Sequence, residues 1–241
     1  MKIAIVGAAG RMGQKLCALA QGTELEVVSK VDVAEGYDKS WAADVEGVID
    51  FSYHAAGPPS VAKAAAGGIP YVIGTTGLTA EEQKAVDAAA EKIPVVQSGN
   101  YSLGVNLLLE LVKKAATVLG PDYDVEITEM HHRHKKDAPS GTALMLAKSA
   151  AAGRRAGDDF TYGRRGDIGE RPVGEIAIHA LRGGSVVGDH TVMFAGELER
   201  VELTHKAQDR TAFAAGALKA LQWAKGKAPG KYTMRDVLGF A

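Results

Sequence analysis

The six residues 131–136 carry three imidazoles, one guanidinium and two ammonium groups in succession. Such a cluster repels itself unless an anion lies against it, and a fold has no structural need for it. A helix start follows at residues 139–142, where Ser140 is a natural N-cap and Gly141 and Thr142 expose backbone N–H groups. Cations beside a helix start suit a dicarboxylate, and histidine and lysine are candidate proton donors.

Four interpretations compete for this cluster. A metal site requires neutral, converging imidazoles, and Arg133, Lys135 and Lys136 would repel the ion. A nucleic-acid patch is usually longer and belongs to a more basic domain, whereas the formal net charge here is -1. A solvated loop without a role is the third interpretation. An anion-binding catalytic site without a metal uses both the cations and the helix start, and it is the one we predict.

A glycine-rich loop at residues 7–13 follows the short apolar strand predicted at Lys2–Val6. Its pattern, G-x-x-G-x-x-G, allows the backbone to turn sharply and to approach a pyrophosphate at the N-terminus of the next helix. Asp32 lies 25 residues after Gly7, where an acidic residue bonds the ribose hydroxyls. A flavodoxin-like fold without a nucleotide, or a solvent-exposed Asp32, is the alternative. We predict a dinucleotide site.

The same region bears on the choice between NADH and NADPH. A carboxylate at Asp32 repels a 2′-phosphate, and Val33 stands where an arginine would otherwise clamp that phosphate. Lys30 and Arg11 are nearby cations that would still allow NADPH. The hypothesis is therefore that the protein uses NADH and/or NADPH and favours NADH.

Two further loops follow apolar strands predicted at Tyr71–Ile73 and Pro94–Gln97. They comprise residues 74–77 and 98–101. Ligands of open α/β sheets bind at the carboxyl edge of the strands, so these loops are predicted to hold the nicotinamide end. Ordinary turn chemistry is the alternative interpretation.

The composition is that of a globular chain, with 241 residues of which 46% are apolar and 24% charged. The net charge argues against a general affinity for nucleic acid or for an anionic membrane. Cys17 is the sole cysteine, which excludes an intrachain disulfide. The apolar run within residues 1–7 is too short for a signal peptide, and no apolar run has the length of a spanning helix. We expect a cytoplasmic protein that binds neither nucleic acid nor membrane.

Strands alternate with helices over the first hundred residues, which predicts an α/β fold with a Rossmann-type parallel sheet. After Asn100 the pattern changes, and strands recur without helices between residues 176 and 205. This indicates a second, α+β domain with a mixed sheet. Residues 153–174 are predicted to form a loop. A last helix at about residues 210–225 would fit on either domain.

Together these motifs resemble the dihydrodipicolinate reductases of bacterial and plant lysine biosynthesis, over nearly the whole chain. The run at residues 129–142 is highly specific for that family. The other matching segments are residues 7–13, 74–77, 100–106, 182–184, 188–191, 204–207 and 234–238.

The resemblance implies reduction of 4-hydroxy-tetrahydrodipicolinate to tetrahydrodipicolinate by hydride transfer from NAD(P)H. It also implies a homotetramer in which residues 1–101 and 210–241 form the dinucleotide domain and residues 102–209 the substrate and tetramerisation domain. His131 becomes the acid/base residue and Lys135 the proton donor. The implied substrate ligands are His132, Lys135, Ser140, Gly141 and Thr142. The predicted cofactor residues are Gly7, Ala8, Ala9, Gly10, Arg11, Met12, Asp32, Gly74, Thr75, Thr76, Ser98, Gly99, Asn100 and Tyr101.

The chain departs from the family pattern in two places. It is short at residues 35–45, beside the predicted adenosine pocket, which places the cofactor preference in doubt. Tyr53 and His54 stand where many relatives have an arginine and a proline, so a cofactor contact is lost or replaced there.

Overall fold

The computed structural model describes residues 1–32 and 41–240. Val33 and residues 35–40 of the shortened region lie outside this part. In chain order, the elements are β1 (Lys2–Val6), α1 (Arg11–Ala20), β2 (Glu26–Val31), β3 (Gly47–Asp50), α2 (Gly57–Ala66), β4 (Tyr71–Ile73), α3 (Ala80–Ala90), β5 (Pro94–Gln97), α4 (Leu103–Leu119), β6 (Asp124–His131), α5 (Gly141–Arg154), β7 (Thr161–Tyr162), β8 (Ile176–Arg182), β9 (Asp189–Ala195), β10 (Arg200–Lys206), α6 (Thr211–Ala224), β11 (Gly230–Tyr232) and α7 (Met234–Leu238). The chain forms two compact units, Met1–Leu103 with Arg210–Ala241, and Gly104–Asp209.

The first unit is built on a six-stranded parallel sheet in the order β11-β5-β4-β3-β1-β2. Successive strand residues face opposite sides of the sheet, so Ile3 and Ile5 enter one core layer while Ala4 and Val6 enter the other. Because all of these strands are parallel, the loops after β1, β2, β3, β4 and β5 begin at one edge of the sheet. The prediction of a Rossmann-type parallel sheet is confirmed.

Helix α6 returns to the first unit after the chain has formed the second. Leu221 from α6 and Met234 from α7 are buried in the same core layer as Ile3 and Ile5. At Gly216 the helix passes so close to the backbone that an added Cβ would lie 1.7 Å from the Tyr101 carbonyl oxygen. These contacts show that the last long helix packs on the first unit, a point that the sequence pattern left open.

The second unit contains a five-stranded mixed sheet in the order β10-β9-β6-β8-β7. Strands β6, β7 and β8 run parallel, whereas β9 is antiparallel to both β6 and β10. Helices α4 and α5 cover one face and contribute Val112 and Leu146 to its core. The predicted mixed sheet is confirmed, and the segment predicted as a loop also contains β7. Because β6 is the central strand, its carboxyl end at His131 lies between two neighbouring strands.

Within residues 1–32 and 41–240, no helix combines the length and apolar character needed to cross a membrane.

Candidate active site

The glycine-rich loop joins β1 to α1 in a conformation that requires two of its glycines. Gly7 has φ +81°, and a Cβ there would lie 2.4 Å from the Phe51 carbonyl oxygen. A Cβ on Gly13 would lie 2.1 Å from the Gly7 oxygen. Gly10 is the N-cap of α1 and supplies no side-chain cap, so the first N–H groups of the helix have no partner from the cap. This cradle fits a dinucleotide pyrophosphate.

Asp32 follows β2 and lies beside the glycine-rich loop. Its carboxylate accepts a hydrogen bond from the Ala9 N–H at 2.6 Å, and the Gln14 side-chain amide donates to the Ala9 oxygen at 2.8 Å. A cavity of about 400 Å³ opens here. Its lining residues are Ala8, Ala9, Gln14, Cys17, Ala18, Gln21, Lys30 and Asp32. The volume and the carboxylate suit an adenosine group.

A second cavity of about 400 Å³ opens in the same unit along the carboxyl ends of β1, β3 and β4. It brings the predicted residues Gly74, Thr75 and Thr76 together with Arg11 and Met12 of the glycine-rich loop. The remaining lining residues are Phe51, Ser52, Tyr53 and His54. Sequence reasoning did not select Phe51 and Ser52 as site residues. The rule that identified the other loops would have found them, because they directly follow β3.

A buried carboxylate binds two of the residues that line this second cavity. Asp50 accepts hydrogen bonds from the hydroxyls of Tyr71 at 2.6 Å and Thr75 at 2.9 Å, and from the Ser52 N–H at 2.9 Å. Burial raises the pKa of Asp50 above its ordinary value, although these donors oppose the shift. The network fixes two lining residues, Ser52 and Thr75, relative to each other.

The predicted loop at residues 98–101 is a turn stabilised by local hydrogen bonds. The Ser98 hydroxyl donates to the Asn100 oxygen at 3.0 Å, and Asn100 accepts from the Ser102 N–H at 2.8 Å. Tyr101 is buried, with its hydroxyl 2.8 Å from the Ile73 carbonyl oxygen. The Tyr101 side chain therefore belongs to the core, and cofactor contacts of this turn remain a prediction.

In the second unit, the basic segment joins the end of β6 to the start of α5. Ser140 caps α5, since its hydroxyl oxygen accepts from the Ala143 N–H at 3.2 Å. Gly141 and Thr142 occupy the first two positions of the helix, where backbone N–H groups point toward its N-terminal end. The Lys135 ammonium lies 2.8 Å from the Asp137 carboxylate and holds the pKa of that carboxyl below its ordinary value.

Glu129 is a buried carboxylate that binds this segment from beneath. The Arg182 guanidinium contacts both of its oxygens at 2.8 Å, and His131 Nδ1 lies 2.6 Å away. The Ser140 N–H donates to it at 3.0 Å. Burial would raise the pKa of Glu129, but these hydrogen bonds, with that of Arg182 foremost, hold the pKa below its ordinary value.

His190 packs against the same group of residues from β9. Its Nε2 lies 3.0 Å from the Ser140 hydroxyl oxygen, and its ring meets that of His131 edge to face at 5.2 Å between centroids. Burial lowers the pKa of His190 to about 4, assisted by the nearby charge of His131. The neutral ring of His190 thus packs against His131, the acid/base candidate. Sequence reasoning missed His190 and Arg182, since both come from distant strands.

The described residues bring most of the predicted site together in two places. The glycine-rich loop, Asp32 and residues 74–76 line cavities of the first unit, while residues 131–142 form one cluster in the second. In the part of the chain that the structure describes, no three His, Cys, Asp or Glu side chains are arranged to hold a metal ion.

Comparison with known proteins connects this geometry to a family. The model of the dihydrodipicolinate reductase N-terminus matches residues 1–101, and that of the C-terminus matches residues 104–238. The chain belongs to the dihydrodipicolinate reductase family. It is an NAD(P)H-dependent oxidoreductase, and the family's reaction reduces 4-hydroxy-tetrahydrodipicolinate in lysine and diaminopimelate biosynthesis.

Individual relatives agree with this assignment. The 4-hydroxy-tetrahydrodipicolinate reductase of Akkermansia muciniphila is 51% identical over 246 residues, which cover 100% of this chain and 99% of the relative. That of Anaeromyxobacter dehalogenans is 47% identical and covers 99% of this chain and 97% of the relative. Among solved structures, dipicolinate-bound dihydrodipicolinate reductase from Paenisporosarcina sp. TG-14 has the same fold, with a TM-score of 0.76, 23% identity and coverage of 97% of each chain.

Proposed function

We propose that the family's reaction is divided between the two units of this chain. Residues 1–101 and 210–241 bind the dinucleotide, and residues 102–209 bind a cyclic imine dicarboxylate. The observation that carries the proposal is the segment 129–142, which combines a histidine bonded to a buried carboxylate, a lysine ammonium and a helix N-terminus. When bound, the dinucleotide supplies a hydride from C4 of its nicotinamide ring.

Binding of the dinucleotide rests on both cavities of the first unit. The N-terminus of α1 and the glycine-rich loop hold the pyrophosphate, Asp32 bonds the ribose, and Gly74, Thr75 and Thr76 hold the nicotinamide end. The turn at residues 98–101 completes the pocket. Asp50 keeps Ser52 and Thr75 in place through hydrogen bonds to both.

Substrate binding rests on the segment after β6. The backbone N–H groups of Gly141 and Thr142 at the helix start donate to one carboxylate, and His132 and Lys135 bind the other. Ser140 has its N–H bonded to Glu129 and its hydroxyl bonded to the Ala143 N–H, so its part is to shape the helix start.

Proton transfer follows from the chemistry of the ring. Loss of the 4-hydroxyl as water leaves a conjugated imine, and hydride addition to this imine builds negative charge that must be protonated. Lys135 donates this proton from an ammonium that already faces the carboxylate of Asp137, and His131 serves as acid or base.

Replacement of Lys135 tests this assignment. For Lys135→Ala we expect turnover to fall by about 10²- to 10³-fold, because a general acid is lost, while the affinity for NADH stays within about twofold. Lys136→Ala is the matched control, since this neighbouring lysine is exposed and has no part in the proposal. Steady-state kinetics and NADH fluorescence titration measure both values. Near-normal turnover in Lys135→Ala would refute the assignment.

The cofactor preference is proposed to be for NADH, with NADPH also accepted. The carboxylate of Asp32 lines the adenosine cavity and disfavours a 2′-phosphate, while Lys30 in the same lining moderates this effect. A coupled assay with dihydrodipicolinate synthase, pyruvate and aspartate semialdehyde tests reaction and preference together. Oxidation at 340 nm that depends on the synthase is expected with either cofactor, faster with NADH. A strong NADPH preference would overturn the role of Asp32, and no oxidation at all would overturn the proposed reaction.

We also propose a cytoplasmic homotetramer. The subunit contact is supported by the sheet face opposite α4 and α5, where Thr128, Thr191, Met193 and Thr204 are partly or fully exposed. The location is supported by the single cysteine, Cys17, and by the use of reduced dinucleotide. Light scattering of the purified protein would measure the assembly, and a monomeric mass would exclude it.

A further inference from the structure

Four hydrogen bonds converge on the two oxygens of Glu129. Two come from Arg182 and one each from His131 and the Ser140 N–H. The Glu129 side chain is fully buried. A buried carboxylate is costly unless it is paired and fully hydrogen-bonded, and this one satisfies both conditions. Arg182, His131 and Ser140 come from different segments, and each of them either belongs to the proposed site or supports it.

The bond to His131 determines which ring nitrogen carries the proton. Arg182 and the other donors keep Glu129 ionised, and an ionised carboxylate only accepts hydrogen bonds. His131 Nδ1 must therefore carry its proton toward Glu129. In the neutral ring, Nε2 is then the atom available for proton transfer. Space beside it is preserved at Gly188, where a Cβ would lie 3.0 Å from Nε2.

Arg182 extends the same control to the loop that carries the lysine. Besides Glu129, its guanidinium donates to the Asp137 carbonyl oxygen at 2.7 Å. The carboxylate of Asp137 contacts the Lys135 ammonium at 2.8 Å. Glu129 itself receives the N–H of Ser140 at the start of α5. One ion pair thus connects the histidine, the lysine loop and the helix N-terminus.

We propose that Glu129 and Arg182 are positioning residues for proton transfer, which fix the tautomer of His131 and hold the loop of Lys135 against the start of α5. The proposal requires no contact between either residue and the substrate. The inference rests on the proposed acid/base role of His131, so the experiment tests the two separately.

The central variant is Glu129→Gln. Glutamine has nearly the same shape, but its amide NH2 can donate to His131 Nδ1 and so favour the proton on Nε2. We expect kcat to fall by about 10²- to 10³-fold, the range that a mispositioned acid/base residue costs, with KM for NADH within about twofold. Nitrogen-15 NMR of labelled histidine is expected to show His131 protonated at Nδ1 in the original protein and at Nε2 in the variant.

Glu126→Gln is the matched control. Glu126 lies on the same strand and also binds a histidine and arginines, but it faces the other side of the sheet. We expect its kcat to stay within about twofold of the original value. An equal loss in Glu126→Gln would indicate a general effect on the sheet and would overturn the inference.

A double variant separates positioning from direct catalysis. If Glu129 acts through His131, Glu129→Gln added to His131→Gln costs less than about twofold further in kcat. A loss in the double variant equal to the product of the two single losses would contradict the inference. Full activity of His131→Gln would instead refute the proposed role of His131. An inactive His131→Gln beside an active Glu129→Gln would refute the positioning role alone.

Arg182→Lys provides a second test in case Glu129→Gln fails to fold. It keeps the charge but cannot contact both Glu129 oxygens and the Asp137 carbonyl together. With hydrogen exchange confirming intact β6, β8 and β9, we expect kcat to fall by about tenfold. Unchanged turnover in the folded Arg182→Lys variant would overturn the inference.

Discussion

Strand β6 carries two Glu–His–Arg clusters, one on each face of its sheet. Glu129, His131 and Arg182 form the inner cluster beside α5. The outer cluster combines Glu126 with His179, Arg164 and Arg171. The two glutamates are three positions apart, and the period of two along a strand sends them to opposite faces.

The clusters use the same groups in different surroundings. Glu129 is fully buried and relies on one arginine, whereas 20% of the Glu126 side chain is exposed and two arginines contact it. The pKa of Glu126 falls to about 2, because hydrogen bonds from Arg164, His179 and Arg171 outweigh the effect of its burial. The inner cluster alone adjoins a helix N-terminus and the lysine loop. Position in the fold, and not the set of residues, therefore distinguishes the cluster proposed to support the reaction from the one proposed only to stabilise the sheet.

The largest expected contrast is in stability. Arg182→Gln leaves the buried Glu129 charge without its ionic partner, and we expect it to cost about 3 kcal/mol of unfolding free energy. Arg164→Gln is expected to cost about 1 kcal/mol or less, because Arg171 and His179 still contact a partly exposed Glu126. Hydrogen exchange of β6 and β8 peptides measures both. Equal losses would remove the distinction between the clusters.

The two faces are also expected to lose stability in different pH ranges. His190, with its pKa lowered to about 4 from 6.5, stays neutral in the fold, so its unfolded form binds a proton first. Stability is full above pH 6.5 and falls by up to about 3 kcal/mol as the pH drops through 4. Glu126, lowered from 4.5 to about 2, loses its contribution as the pH falls from 4.5 toward 2.

Variants assign each range to its residue. Denaturation followed by circular dichroism is expected to lose the upper pH dependence in His190→Gln and to weaken the lower one in Glu126→Gln. Retention of the upper dependence in His190→Gln would mean that another group causes it.

A smaller effect tests access to the inner histidine. The Cβ of Gly188→Ala would lie 3.0 Å from His131 Nε2, and we expect kcat to fall by about tenfold through displacement of the ring. Gly183→Ala is the control, since its Cβ would meet only the flexible end of Met130 at 3.1 Å. The kcat of this control is expected to stay within about twofold. Equal values for the two variants would mean that space at Nε2 does not limit the reaction.

The sequence predicts elements well where a local signal exists. Thr79 and Glu82 have the residue types and spacing of a capping box, which predicts the start of α3, and both hydrogen bonds of the box are present. The same pattern occurs at Thr233 and Asp236, where it opens the unpredicted helix α7. Strand β11 has only three residues and is stabilised by pairing with β5, so no local pattern reveals it.

The candidate site also has one part that the local sequence predicts and another part that it does not. Residues 131–142 are close in sequence, and their types alone indicate anion binding and proton transfer. Arg182 is 53 residues from Glu129, and it reaches the cluster because β8 pairs in parallel with β6 and places Arg182 beside His131. His190 arrives through the antiparallel pairing of β9, opposite Glu129. Register between distant strands is a tertiary property, which a single sequence does not encode in any local pattern.

The return of α6 to the first unit affects the order in which the protein can fold during synthesis. The core layer around Ile3, Ile5 and Val96 is closed by Leu221 and Met234, which the ribosome adds only after the whole second unit. Until then this apolar layer has no cover from α6 or α7. The second unit can therefore complete its core first, while the first unit, although it begins the chain, is the last to close.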